Sequence, residues 1–61
     1  MLEYRGCVVT FTETIGGYLG EVYVDKWMCY PIDDFIVPRK ENMEEYAKKH
    51  IDTHIQSYPK R

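Results

Sequence analysis

Met43, Tyr46, Ala47, His50, Ile51, His54, Ile55 and Tyr58 fall at i, i+3, i+4, i+7, i+8, i+11, i+12 and i+15, a single stripe along a helix of 3.6 residues per turn. A helix with one apolar side is marginal alone in water and needs a second layer over that side. Within this sequence residues 1–42 are the candidate for that layer. The opposite side carries Glu44 with Lys48 and Glu45 with Lys49 in the favourable i, i+4 order. Asn42 followed by Glu45 fits a capping box, and Pro59 stops the pattern. The spacing predicts a helix over about residues 43–57, with Met43, Tyr46, Ala47, Ile51 and Ile55 buried.

The preceding segment changes period. In "CVVTFTET" Cys7, Val9 and Phe11 alternate with Val8, Thr10, Thr12 and Thr14, the period of two that marks a strand with one buried face. Gly16-Gly17 supplies a tight hairpin. Tyr18, Gly20, Val22 and Val24 then form the better core face of a second strand, with Leu19, Glu21, Tyr23 and Asp25 opposite. Asp25-Lys26 reads as another turn, and Trp27-Met28-Cys29-Tyr30 as the return before Pro31. Phe35-Ile36-Val37 either extends the sheet after Ile32-Asp33-Asp34 or leads over it to the helix; periodicity leaves both open, and Asp33-Asp34 reads as a solvated turn. The fold expected is α+β: a three-stranded antiparallel sheet with one C-terminal helix on a face (β-β-β-α). Strands are expected at about 6–14, 18–24 and 27–37, within one domain spanning residues 1–61.

A domain of 61 residues buries only about 60% of the surface its unfolded chain exposes, so disulfides, metals and partner subunits each come into question. Cys7 and Cys29 are too few for a secreted disulfide framework, and Met1-Leu2-Glu3-Tyr4-Arg5 meets charge before any apolar stretch, unlike a signal peptide. No apolar run approaches the roughly 18 residues of a membrane span. A cytoplasmic protein without membrane association is the expectation. His50 and His54 could aim two imidazoles at one ion, with Cys7 and Cys29 as thiolates, but the 22-residue separation of the cysteines breaks the zinc-finger spacing. The reading is no metal and no cofactor, with the histidines at the edge of the helix–sheet interface and the cysteines as small core hydrophobes.

No nucleophile–base pattern or phosphate-cradling loop stands out, so the chain reads as a non-enzyme. Residues 1–38 hold two basic side chains against six acidic ones, whereas residues 39–61 hold six against four; the strand region therefore repels phosphate. Six tyrosines are present, and tyrosine suits surfaces that are apolar at one end and wet at the other. Thr10, Thr12 and Thr14 beside Tyr23, Trp27 and Tyr30 would make an uncharged, mildly apolar patch, the expected partner-binding site. Another protein is the partner this patch suits, and a second copy of the chain would use it equally, giving a homodimer. The alternative is a nucleic-acid-binding module of the three-stranded-sheet-plus-helix type, resembling the arm-binding domains of phage integrases. Those sheets, however, expose arginine and lysine where this one shows threonine and carboxylates.

Gly16-Gly17-Tyr18 in the hairpin and Met43-Glu44-Glu45-Tyr46-Ala47 at the helix start carry a resemblance to HicB-like antitoxin domains over about residues 5–56. Met28-Cys29-Tyr30-Pro31 departs from that pattern's proline-glycine-cysteine turn, and no ribbon-helix-helix or helix-turn-helix segment follows within the sequence. The resemblance implies a small bacterial or bacteriophage accessory protein that works by binding and modulating another protein.

Overall fold

The computed structural model describes residues 1–24 and 29–58. Strands β1 (Leu2–Tyr4), β2 (Cys7–Thr14), β3 (Gly17–Tyr23) and β4 (Asp33–Val37) form one antiparallel meander in the order β1-β2-β3-β4. A 3-10 turn over Lys40–Asn42 leads into helix α1 (Met43–His54), and a second over Ile55–Ser57 carries the chain to Tyr58. The sheet is thus four-stranded, which corrects the three-stranded expectation at both edges.

The first correction is β1. Leu2, Glu3 and Tyr4 pair with Val9, Val8 and Cys7 through a two-residue turn, whose central residues Arg5 and Gly6 sit at φ 52° and 81°. Both positions of such a turn favour positive φ, which glycine takes freely and arginine does not. The second correction lies at the other edge. Among the described residues the strand expected over 27–37 covers Asp33–Val37 alone, starting after the Ile32 N–H donates to the Val22 carbonyl at 2.9 Å. Cys29 and Tyr30 lie in a bend outside the sheet, and Trp27 lies outside the described residues. Phe35, Ile36 and Val37 do belong to the sheet, opposite Gly20, Leu19 and Tyr18.

Strand alternation then sorts the side chains. Cys7, Val9 and Val22 are buried with Ala47 and Ile51 of α1, and Leu2, Tyr4, Phe11, Val24, Ile32, Phe35 and Ile55 pack around them. The helix therefore covers the face that carries Cys7 and Val9. Gly20 matters on this face because a side chain there would run into the ring of Phe35, its partner on β4. Phe35 lies over the gap and meets Phe11 edge-on, ring centroids 6.1 Å apart.

Two expectations for the helix are corrected. Asn42 makes no side-chain cap bond; the preceding 3-10 turn, with the Met43 N–H on the Lys40 carbonyl, sets the start instead. Tyr46 is 41% exposed, whereas Ala47 and Ile51 are fully buried and Met43 and Ile55 half-buried. The contact line runs through Ala47, Ile51 and Tyr58, and Tyr46 falls on its flank. After the last 3-10 turn Tyr58 takes an extended conformation, which places its ring back in the core.

Candidate functional site

Two parts of the molecule bring together side chains that packing alone does not use. The first is the sheet face away from the helix. The strand register assembles it in rows: Glu3, Val8 and Tyr23; Thr10, Glu21 and Asp34; Thr12, Leu19 and Ile36. Of the side chains expected to bind a partner, Thr10, Thr12, Thr14 and Tyr23 share this face, Tyr30 is 71% exposed in the bend outside the sheet, and Trp27 is not described. Sequence reading set Leu19 on this face but outside the binding site, and missed Ile36, which is 54% exposed; the two extend the threonine row into an apolar strip. It also missed the middle row, where Glu21 and Asp34 are direct cross-strand partners. Like charges placed so oppose one another with Cβ atoms about 5 Å apart. Among the described residues neither carboxylate has an ion-pair partner. No lysine or arginine occurs in any of the four strands.

The second part is the flank where α1 meets β4. Alternation splits the adjacent carboxylates Asp33 and Asp34: Asp34 goes to the open face and Asp33 turns under the helix. There His50 Nε2 donates to Asp33 Oδ2 at 2.7 Å, the Tyr58 hydroxyl donates to the same oxygen at 2.9 Å, and the Asp34 N–H donates to Oδ1 at 2.8 Å. Burial pushes the Asp33 carboxyl up, but these three hydrogen bonds outweigh it and hold the group below the ordinary aspartate range. Burial and the facing carboxylate push the Tyr58 hydroxyl up. The solvated turn expected at Asp33 is thus corrected to a half-buried anchor.

His50 is held on its other side by Phe35, stacked at 4.8 Å between ring centroids. His54 follows one turn later, 4.4 Å from His50 by centroids, and its Nδ1 donates to the His50 carbonyl at 3.0 Å. In the neutral imidazole that bond places the proton on Nδ1 and the lone pair on Nε2. Ligand atoms of Asp33, His50 and His54 all lie within 4.8 Å of one another. A shallow concavity lined by Tyr46, Lys49, His50, Thr53 and His54 opens beside them. The cysteines play no part here: Cys7 is buried in the core and Cys29 is exposed in the bend, which also corrects the view of Cys29 as a core residue. The histidine spacing was legible as a half-site; its carboxylate was not, because only the strand register brings Asp33 under the helix.

Among the described residues no helix is long and apolar enough to cross a membrane. Comparison with protein-family models, with curated proteins and with solved structures yields no match to this chain.

Proposed function

We propose that the protein is a non-enzymatic binding module whose open sheet face receives another protein, and that the partner presents a lysine or arginine within an apolar surface. The observation that carries this reading is the Glu21–Asp34 pair between the Val8–Tyr23 row and the Thr12–Leu19–Ile36 row. Facing carboxylates repel, and a cation placed between them relieves the repulsion. Apolar contacts on either side then supply the area term. A basic amphipathic helix laid across this face would complete a second layer opposite α1. Tyr30, exposed in the bend outside the sheet, is not needed for such a contact.

The size of the face limits the affinity. Four strands about 4.8 Å apart and about six residues long present roughly 20 × 20 Å, about half of the 800 Å² that each partner gives to a standard interface. The complex is therefore of the weak, exchangeable kind that suits regulation. A second copy of the chain fits less well, because face-to-face pairing would bring four carboxylates together at its centre. Nucleic acid is disfavoured on the same ground, since phosphate would meet Glu3, Glu21 and Asp34. A role like that of HicB-like domains, which the hairpin and helix start resemble, accords with this reading, as does a bacterial or phage origin.

The test is to capture partners on the wild-type protein and on Glu21→Lys and Thr12→Lys variants, then map the contact by chemical shifts in labelled protein. A protein partner that both variants lose, with shifts at Val8, Leu19, Tyr23 and Ile36, supports the proposal. Shifts confined to the helix, retention by Glu21→Lys, or capture of nucleic acid instead would overturn it.

A further inference from the structure

We infer that Asp33, His50 and His54 form a binding site for a divalent transition-metal ion of the zinc class, which ties the C-terminal half of α1 to edge strand β4. The inference rests on observations separate from the open sheet face. Two histidines four apart on one helix and a carboxylate from a neighbouring strand make a two-histidine, one-carboxylate donor set. This is the nitrogen and oxygen chemistry that zinc, cobalt and nickel accept. The ligand atoms already lie within 4.8 Å of one another. Tetrahedral coordination at about 2.0–2.1 Å from the metal requires them to be about 3.4 Å apart, so His50 Nε2 and Asp33 Oδ2 open from 2.7 Å while the wider separations close, through side-chain rotations.

The surrounding groups hold the ligands as a metal site would. The Nδ1–H of His54 is engaged by the His50 carbonyl, which leaves Nε2 as the ring nitrogen able to ligate. The Tyr58 hydroxyl and the Asp34 N–H orient the two oxygens of Asp33, and Phe35 fixes the plane of the His50 ring. In the metal-free state a proton occupies the position between His50 Nε2 and Asp33 Oδ2. The ion takes that place, the His50 imidazole stays neutral by carrying its proton on Nδ1, and both atoms become ligands while Tyr58 keeps its bond to Asp33. The concavity beside Tyr46 and Lys49 gives the ion access and leaves a coordination position to water. A core this small gains from such a tie, since metal binding adds directly to folding stability.

The chain contains only two histidines, so attribution is direct when the protein is prepared without a histidine tag. Metal-free protein would be titrated with zinc by calorimetry and with cobalt by visible absorption, in the wild type, in Cys29→Ser and in His54→Ala. The expected result is one ion per chain, a cobalt spectrum without thiolate charge transfer, a raised melting temperature with zinc, and unchanged behaviour in Cys29→Ser. His54→Ala should weaken zinc by more than about a hundredfold, beyond the loss from removing an outer-shell partner. It should keep its fold, because among the described residues the imidazole's only hydrogen bond is to a carbonyl of its own helix. Equal zinc affinity in wild type and His54→Ala, loss of binding in Cys29→Ser, or no saturable binding at micromolar zinc would overturn the inference.

Discussion

Two carboxylates hold the same helix to opposite edges of the sheet, and their surroundings differ. At the β1 edge Asp52 accepts from the Arg5 guanidinium at 2.8 Å and from the Tyr4 hydroxyl at 3.0 Å, and the Lys48 ammonium sits 5.7 Å from the Tyr4 ring centre. About half of each side chain in the Arg5–Asp52 pair is exposed. Arg5 and then Tyr4 hold the Asp52 carboxyl below its ordinary range. At the β4 edge Asp33 is reached by His50 and Tyr58 with side chains only 29% and 17% exposed for the Asp33–His50 pair, and an aromatic stack backs the histidine. The Asp52 contacts lie where water and salt compete for every charge. The Asp33 contacts lie where an unpaired group has no easy replacement for its lost partner. The two edges therefore make the same kind of bond with different consequences: one steers the helix, the other fixes it.

The largest expected effect breaks both edges at once, because the two flanks meet over a shared core. Ile51 is fully buried between them, and Ile51→Ala should destabilise by about 2–5 kcal/mol. That is a large part of the stability of so small a domain. Chemical denaturation should show it with little change in slope. A loss under about 0.5 kcal/mol would mean that the helix does not pack on this face.

Next comes a change confined to the β4 edge. Gly20→Val puts a side chain where the Phe35 ring lies; overpacking costs about 1–3 kcal/mol, and displacement of the ring also removes its stack on His50. The proton signals of the His50 ring should lose their upfield ring-current shift. Unchanged shifts would show that Phe35 does not depend on the glycine for its position.

Asp33→Ala tests the same edge through its polar contacts. In metal-free buffer it removes the acceptor of both His50 and Tyr58, and leaving the Tyr58 hydroxyl without a partner costs about 1–3 kcal/mol. The same substitution at the other carboxylate, Asp52→Ala, should shift the midpoint far less. Equal shifts from the two would erase the distinction between the edges.

The contrast between edges also accounts for what the sequence shows and what it hides. The helix is legible because its stripe persists over four turns, from Met43 to Tyr58. Strand β1 is not, since Leu2-Glu3-Tyr4 covers only one and a half alternations and its turn places arginine, not asparagine or glycine, at φ 52°. The β4 anchor was hidden by the same period of two that revealed β2. Adjacent aspartates read as one solvated pair until pairing with β3 sends Asp33 to one face and Asp34 to the other. The open face was legible at Thr10, Thr12, Thr14 and Tyr23, which lie within two strands. Its acidic centre depends on a third strand, and cross-strand neighbours are not visible in a linear sequence.

The smallest effect on global stability should come from the β1 edge, and a local probe can separate it from the rest. Cys7 pairs with Tyr4 across the β1–β2 hairpin and is 1% exposed; burial pushes its thiol pKa up, so it reacts slowly while packed. In a Cys29→Ser background Cys7 is the remaining thiol, and its alkylation requires either local opening of the β1 edge or global unfolding. Asp52→Ala removes the contacts of Arg5 and Tyr4 to the helix without touching the core, so it should speed labelling of Cys7 severalfold at a nearly unchanged denaturation midpoint. High salt on the wild type should act in the same direction, because the Arg5–Asp52 pair is exposed and screened. Asp33→Ala should speed labelling only as far as it lowers global stability, since its contacts lie at the other edge. If Asp52→Ala leaves the labelling rate unchanged, Cys7 is reached by global unfolding alone, and the β1 edge is as firmly held as the β4 edge.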